Sequence, residues 1–156
     1  MLDRMTHYTT WKIEKRRVGD PKPYAIEEFE GNLLLNEGIQ NLLDLGITAG
    51  GTAWTNANSY IGVGDSSSAE AAAQTGLQAT TNKAWAAMES TYPSRASQTL
   101  SFRAEFADSV AEFAWEEFTI SNSNDDSGQN LNRKVASKGT KTSGEVWTVT
   151  CTVTLS

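Results

Sequence analysis

The carboxyl-terminal stretch Val146–Ser156 constrains this chain more than any other. There Trp147, Val149, Cys151, Val153 and Leu155 alternate with Thr148, Thr150, Thr152 and Thr154. Successive side chains of a strand point to opposite faces, so the pattern predicts a strand with one buried face and one threonine face toward water. β-Branched residues hold most positions, which suits extended backbone. A terminus with this many apolar anchors is predicted to be zipped into a sheet rather than frayed. The rest of the chain has to supply its partners.

A second strong alternation supplies one of them. Leu100, Phe102, Ala104 and Phe106 interleave with Ser101, Arg103 and Glu105. Ala107-Asp108-Ser109 reads as a short connection, with Ala111–Ile120 returning as the hairpin partner. The return changes phase: Ala111, Phe113 and Trp115 share one face, and Phe118 and Ile120 belong to the other. Either a β-bulge near Glu116-Glu117 restores both sets to the core, or the chain leaves one sheet there and enters another. Both readings imply two sheets. Ala25–Glu30 and Tyr60–Gly64 read as short strands, and the glycines of the latter indicate a close approach of neighbouring groups. Lys83–Met88 fits strand or helix. Ser121–Asn130 reads as a solvated hairpin loop, followed by Leu131–Lys138 as a basic edge strand.

One helix stands out. Asn36 suits an N-cap, Glu37 the positive end, and Gly46 the C-terminal stop. Between them Ile39, Leu42 and Leu43 form an apolar stripe predicted to plug one end or face of the sheet. Asp65-Ser66-Ser67-Ser68 has the residues to cap a shorter helix over Ala69–Gln74. The expected fold is mainly β: an antiparallel two-sheet β-sandwich with one short helix near residues 37–45 and an extended N-terminal arm. Residues 1–24 form the arm in this reading, and residues 25–156 a single β-sandwich domain.

Several function classes lack their residues. No apolar run approaches the ~20 residues that span a bilayer. No apolar region follows Met1–Arg4 as in a secretory signal, so synthesis and folding in a cytoplasm are expected. The lone cysteine, Cys151, reads as a small buried hydrophobe with no disulfide partner. The only histidine, His7, leaves no histidine-based triad or multi-histidine metal site. Gly62–Asp65 lacks the lysine of a phosphate loop, and Ser121–Asn130 lacks the spacing of a calcium loop. The neighbouring acids Glu27-Glu28, Glu116-Glu117 and Asp125-Asp126 point to opposite faces on a strand and cannot converge. Glu112 or Glu117 with Asp65 is the one carboxylate pairing that the fold could still bring together. No cofactor, no metal and no catalysis are expected.

Charge divides the chain unevenly. Residues 1–22 carry six basic groups against three acidic ones, whereas residues 23–156 carry seven against sixteen, within a total of −6. Such an acidic body repels nucleic acid. The leader reads either as poorly ordered or as an arm that orders against a neighbouring subunit. Its candidate partner-binding residues are Trp11, as a rigid anchor, with Lys12, Lys15, Arg16, Arg17 and Tyr24. A second candidate is the loop around Trp54, Asn56 and Asn58, a possible surface-binding site.

Several short motifs then occur in a suggestive order. They are Glu30-Gly31-Asn32-Leu33-Leu34 with Asn36-Glu37-Gly38-Ile39, then Tyr60-Ile61-Gly62-Val63-Gly64-Asp65 and Tyr92-Pro93. Phe113-Ala114-Trp115-Glu116-Glu117, Leu131-Asn132-Arg133, Gly139-Thr140-Lys141 and Val146-Trp147 follow. Across roughly residues 11–156 the chain resembles small structural proteins of tailed-bacteriophage virions. The resemblance implies a β-sandwich-like virion component present in many copies. The first expectation is a capsid decoration (cement) protein, a homotrimer on the outer head surface whose partners are the major capsid protein and its own copies. It would be made in the host cytoplasm, without nucleic-acid or membrane partners. The alternatives are a tail, fibre or tail-tip protein that binds a host surface through its loops, and a glycan-binding domain that uses Trp54.

Overall fold

The computed structural model describes residues 4–156. In chain order the strands are β1 (His7–Arg17), β2 (Ala25–Glu30), β3 (Leu33–Leu34), β4 (Tyr60–Gly64) and β5 (Lys83–Ala87), with helix α1 (Asn36–Gly46) between β3 and β4. They continue as β6 (Ser94–Ala96), β7 (Thr99–Phe106), β8 (Glu117–Ser121), β9 (Asn130–Val135) and β10 (Glu145–Leu155). Two five-stranded sheets result, with strand orders β2-β1-β10-β7-β6 and β3-β9-β8-β4-β5. Every strand pairing in both is antiparallel. The expected two-sheet antiparallel body with one helix is the fold.

β10 lies at the centre of the first sheet, as its alternation predicts. It pairs with β1 from His7↔Leu155 to Arg17↔Glu145 and with β7 from Trp147↔Phe106 to Thr154↔Thr99. Trp147, Val149, Cys151 and Val153 all face the core. Burial pushes the Cys151 thiol well above its ordinary pKa, so the sulfur stays protonated and inert. On the opposite face Arg103 of β7 donates to the Glu14 carboxylate at 2.7 Å and to the Thr150 hydroxyl at 2.9 Å. These charged groups lie over the strand, and Thr148 beside them is only 2% exposed.

Between the sheets runs a chain of aromatic rings. Trp11 stacks on Phe29 at 6.1 Å and meets Phe118 at 5.6 Å. Phe118 meets Trp115, which stands edge-on to Phe106 at 4.8 Å and Trp147 at 4.7 Å. Offset and edge-to-face contacts of this kind add to the gain from buried area.

The expected arm is part of this body. Residues 7–17 are extended, but as an interior strand between β10 and β2, with Trp11 1% and Ile13 0% exposed. The boundary drawn at residue 24 is crossed by the β1–β2 pairing, Lys15↔Ala25 through Thr10↔Glu30. Residues 1–3 of the expected arm lie outside the described residues. The physical reason is the same alternation that marks β10: Thr9, Trp11, Ile13 and Lys15 take the inward positions, and the charge of Lys15 in that set masks the pattern.

Other expectations are corrected too. β7 and the stretch after it do not form a hairpin. Ser109 and Ala111 adopt left-handed backbone (φ 62° and 58°), and the chain crosses to the second sheet before β8 begins. The phase change is therefore a change of sheet, and the register shift between β8 and β9 falls at Ile120/Ser121. Ala69–Gln74 is loop, not helix. Leu131–Lys138 is not an edge: β3 pairs outside β9 through Leu33↔Arg133 and Leu34↔Asn132. Leu35, not Asn36, holds the N-cap position of α1, without a side-chain cap, and Gly46 is its last helical residue.

A third layer covers the outer face of the second sheet. Glu117 and Arg133 are both 0% exposed and paired at 2.8 Å (Nε to Oε2). The backbone N–H groups of Gln78 and Ala79 donate to the Glu117 carboxylate at 2.8–3.0 Å. Arg133 donates to the Ser68 carbonyl at 2.9 Å and to Gln74 Oε1 at 3.0 Å. The pair thus ties down the long connection between β4 and β5. Gly64 leaves room for it, since a Cβ there would clash with Glu117 Oε1.

Lys141 is also fully buried, donating to the Ala107 carbonyl at 2.9 Å. Burial lowers its pKa, opposed by the charges of Glu112, Asp108 and Glu145. A depressed lysine pKa in the folded state means that stability rises as pH climbs from that value toward the unfolded 10.5. Lys141→Met is expected to close the gap: urea midpoints should favour the variant more at pH 7 than at pH 10.

Candidate docking surface

The residues expected to reach a partner all make contacts within this chain. Trp11 belongs to the core and its Nε1 donates to the Gly31 carbonyl at 3.3 Å. Lys15, 7% exposed, donates to Glu27 and to the Lys138 carbonyl, with its ammonium 4.1 Å from the centre of the Trp147 ring. Lys12 pairs with Glu14 at 3.6 Å and Arg16 with Glu105 at 2.7 Å. Arg17 lies over the ring of Tyr24 at 5.7 Å, and the Tyr24 hydroxyl donates to Glu145. Burial and that hydrogen bond raise the Tyr24 pKa. Two of the leader's basic groups, Lys15 and Arg16, are thus matched by acids of the body, Glu27 and Glu105.

The second expected loop is tied to neighbouring segments of the chain. Trp54 packs half-buried against the core. Asn56 donates to the carbonyls of Tyr92 (2.6 Å) and Glu89 (3.0 Å), tying its loop to the turn at Tyr92-Pro93. Asn58 is half-buried beside it. The carboxylate pairing left open does not form either: Glu117 is occupied by Arg133, and Asp65 accepts from Asn82 at 2.7 Å. Among the described residues no group of three or more His, Cys, Asp or Glu is placed to hold a metal ion. No helix is long and apolar enough to cross a membrane.

What the structure leaves open is an apolar groove of about 550 Å³ at one end of the sandwich. Leu33 and Leu34 of β3 form one wall and Ile39, Leu42 and Leu43 of α1 another, with Met5, His7 and Leu155 at the paired chain ends. The helix stripe expected to plug the sheet lines this groove. Ile39 is 39% and Leu43 65% exposed.

The cause is legible in α1 itself. Gly38 and Asn41, one turn apart, are its two buried residues. A Cβ on Gly38 would stand 2.5 Å from Leu131 Cα, so only glycine lets the helix lie this close to β9. The Asn41 amide donates to the Thr52 carbonyl and accepts from its N–H, both at 2.9 Å. A small residue and a satisfied polar one therefore face the sheet, and Ile39 and Leu43 are rotated away while Leu42 stays half-buried against the core. That pairing three residues apart was the available signal.

No protein-family model, curated protein or solved structure matches this chain. The candidate surface therefore rests on its own geometry.

Proposed function

We propose that the chain is a non-enzymatic structural protein of a tailed-phage virion, a decoration (cement) protein seated on the outer head surface through the groove between α1 and the paired chain ends. The observation that carries the reading is the exposure of Ile39 and Leu43 above a leucine-walled groove. Contiguous apolar surface on a folded chain marks a contact site more often than scattered apolar residues do. Supporting it, the motifs that resemble phage virion proteins fall on elements that build this end: Glu30–Leu34 and Asn36–Ile39 supply β3 and the first turn of α1, and Leu131–Arg133 lies in β9 beneath them. Repetition over a closed shell turns a modest single contact into large avidity.

Ile39→Glu with Leu43→Glu tests the seat. Both side chains are exposed, so the melting temperature should hardly move. Co-sedimentation with purified heads should fall at least tenfold. Undiminished binding removes the groove from the reading. Antibody labelling of particles tests the location: signal confined to the tail replaces the head assignment with a tail one, and absence from particles overturns the virion reading.

A further inference from the structure

The second site lies along β2. Of the four sheet edges, β2 is the longest, at six residues, against two, five and three for β3, β5 and β6. Gly31 N–H donates to the Thr9 carbonyl, in line with the register that pairs Trp11 with Phe29 and Ile13 with Glu27. Antiparallel ladders alternate, so Ala25, Glu27 and Phe29 direct their backbone groups to β1. Those of Ile26, Glu28 and Glu30 face outward. Ile26 is 54% exposed, and among the described residues Glu28 and Glu30 have no ion-pair partner. No proline or lysine blunts the strand, the usual defences of an edge.

At the end of this edge is a polar pocket of about 290 Å³, lined by His7, Tyr8, Thr9, Glu30, Gly31 and Asn32. The Thr9 hydroxyl, on a residue 1% exposed, has no hydrogen-bond partner, and neither do the two amide atoms of Asn32. The Asn32 side-chain carbonyl and the Glu30 carboxylate are acceptors suited to a guanidinium or ammonium group.

We infer that β2 is a strand-addition site for an extended, arginine- or lysine-rich segment of a partner protein, with one basic side chain seated against Glu30 and Asn32. Main-chain bonds to Ile26, Glu28 and Glu30 would supply the pairing, and the unpaired glutamates the preference for cations. The inference stands apart from the groove and survives whatever the groove binds.

The test uses the full chain and a synthetic nonapeptide in which arginine alternates with valine and threonine. Titration calorimetry should show binding that weakens as salt is raised. Glu28→Lys with Glu30→Lys should weaken it at least tenfold. Glu28→Pro removes an outward N–H that β1 does not use, and should abolish binding with the melting curve kept. Three results overturn the inference: no binding at low salt, equal binding of a proline-interrupted peptide of the same charge, or binding unchanged in Glu28→Pro. Concentration-dependent dimerisation lost in Glu28→Pro would also overturn it, by making a second copy the occupant.

Discussion

A chain lacking residues 1–22 does not fold. Circular dichroism should show no cooperative thermal transition, and near-ultraviolet signals from the buried tryptophans should be lost. The deletion removes an interior strand that pairs along eleven residues with β10 and along six with β2. It strips out Trp11 and Ile13, and it leaves β2 with no neighbour and β10 with an open edge over its whole length. Trp11→Ala alone is expected to destabilise by about 3–5 kcal/mol, a large part of the roughly 5–15 kcal/mol that holds a typical domain. A sharp melt and an intact near-ultraviolet spectrum from the truncated chain would show that the amino-terminal strand is dispensable.

Glu117→Ala is the second large effect. It leaves the Arg133 guanidinium buried without its counter-charge and removes the acceptor for the amides of Gln78 and Ala79. Breaking a buried pair in this way costs about 3–5 kcal/mol, which lowers the melting temperature of a domain this size by roughly 6–20 °C. Arg133→Met should be comparably damaging alone. The double variant Glu117→Met with Arg133→Met should recover part of the loss, because neither charge is then stranded. Additive single losses in the double-mutant cycle would mean that the two groups do not act as a pair. Proteolysis offers a second readout: the loop between β4 and β5 should be cut early in Glu117→Ala, since its anchoring carboxylate is gone.

The strands that could be read in advance are those whose inward positions are all apolar. β10 and β7 alternate cleanly, and their neighbours in the sheet follow from that. The interior place of β1 was hidden because its inward set includes Lys15, a cation made tolerable there by the Trp147 ring and Glu27. No local pattern announces such compensation, which comes from strands far along the chain. The same holds for Glu117 and Arg133. Adjacent charges on short strands read as solvent-facing until a loop from elsewhere closes over them. The glycines of β4 were the visible trace of that layer: Gly62 and Gly64 leave space for Trp85 and Glu117 on the outer face. The helix was legible in extent, but its orientation was not. A leucine stripe ordinarily faces a core, and here Gly38 and Asn41 take that side.

The neighbourhood of β1 and β10 bears on how the molecule is made. Thr6 and Ser156 exchange backbone hydrogen bonds, and His7 pairs with Leu155. β1 is therefore made long before β10, the strand it pairs with along its whole length. At translation rates of about 5–20 residues per second, Trp11 stays without its main neighbour for roughly 8–30 s. Nascent chains should thus remain protease-sensitive until β10 has emerged and then acquire resistance in one step, an event that long-range pairing also makes slow.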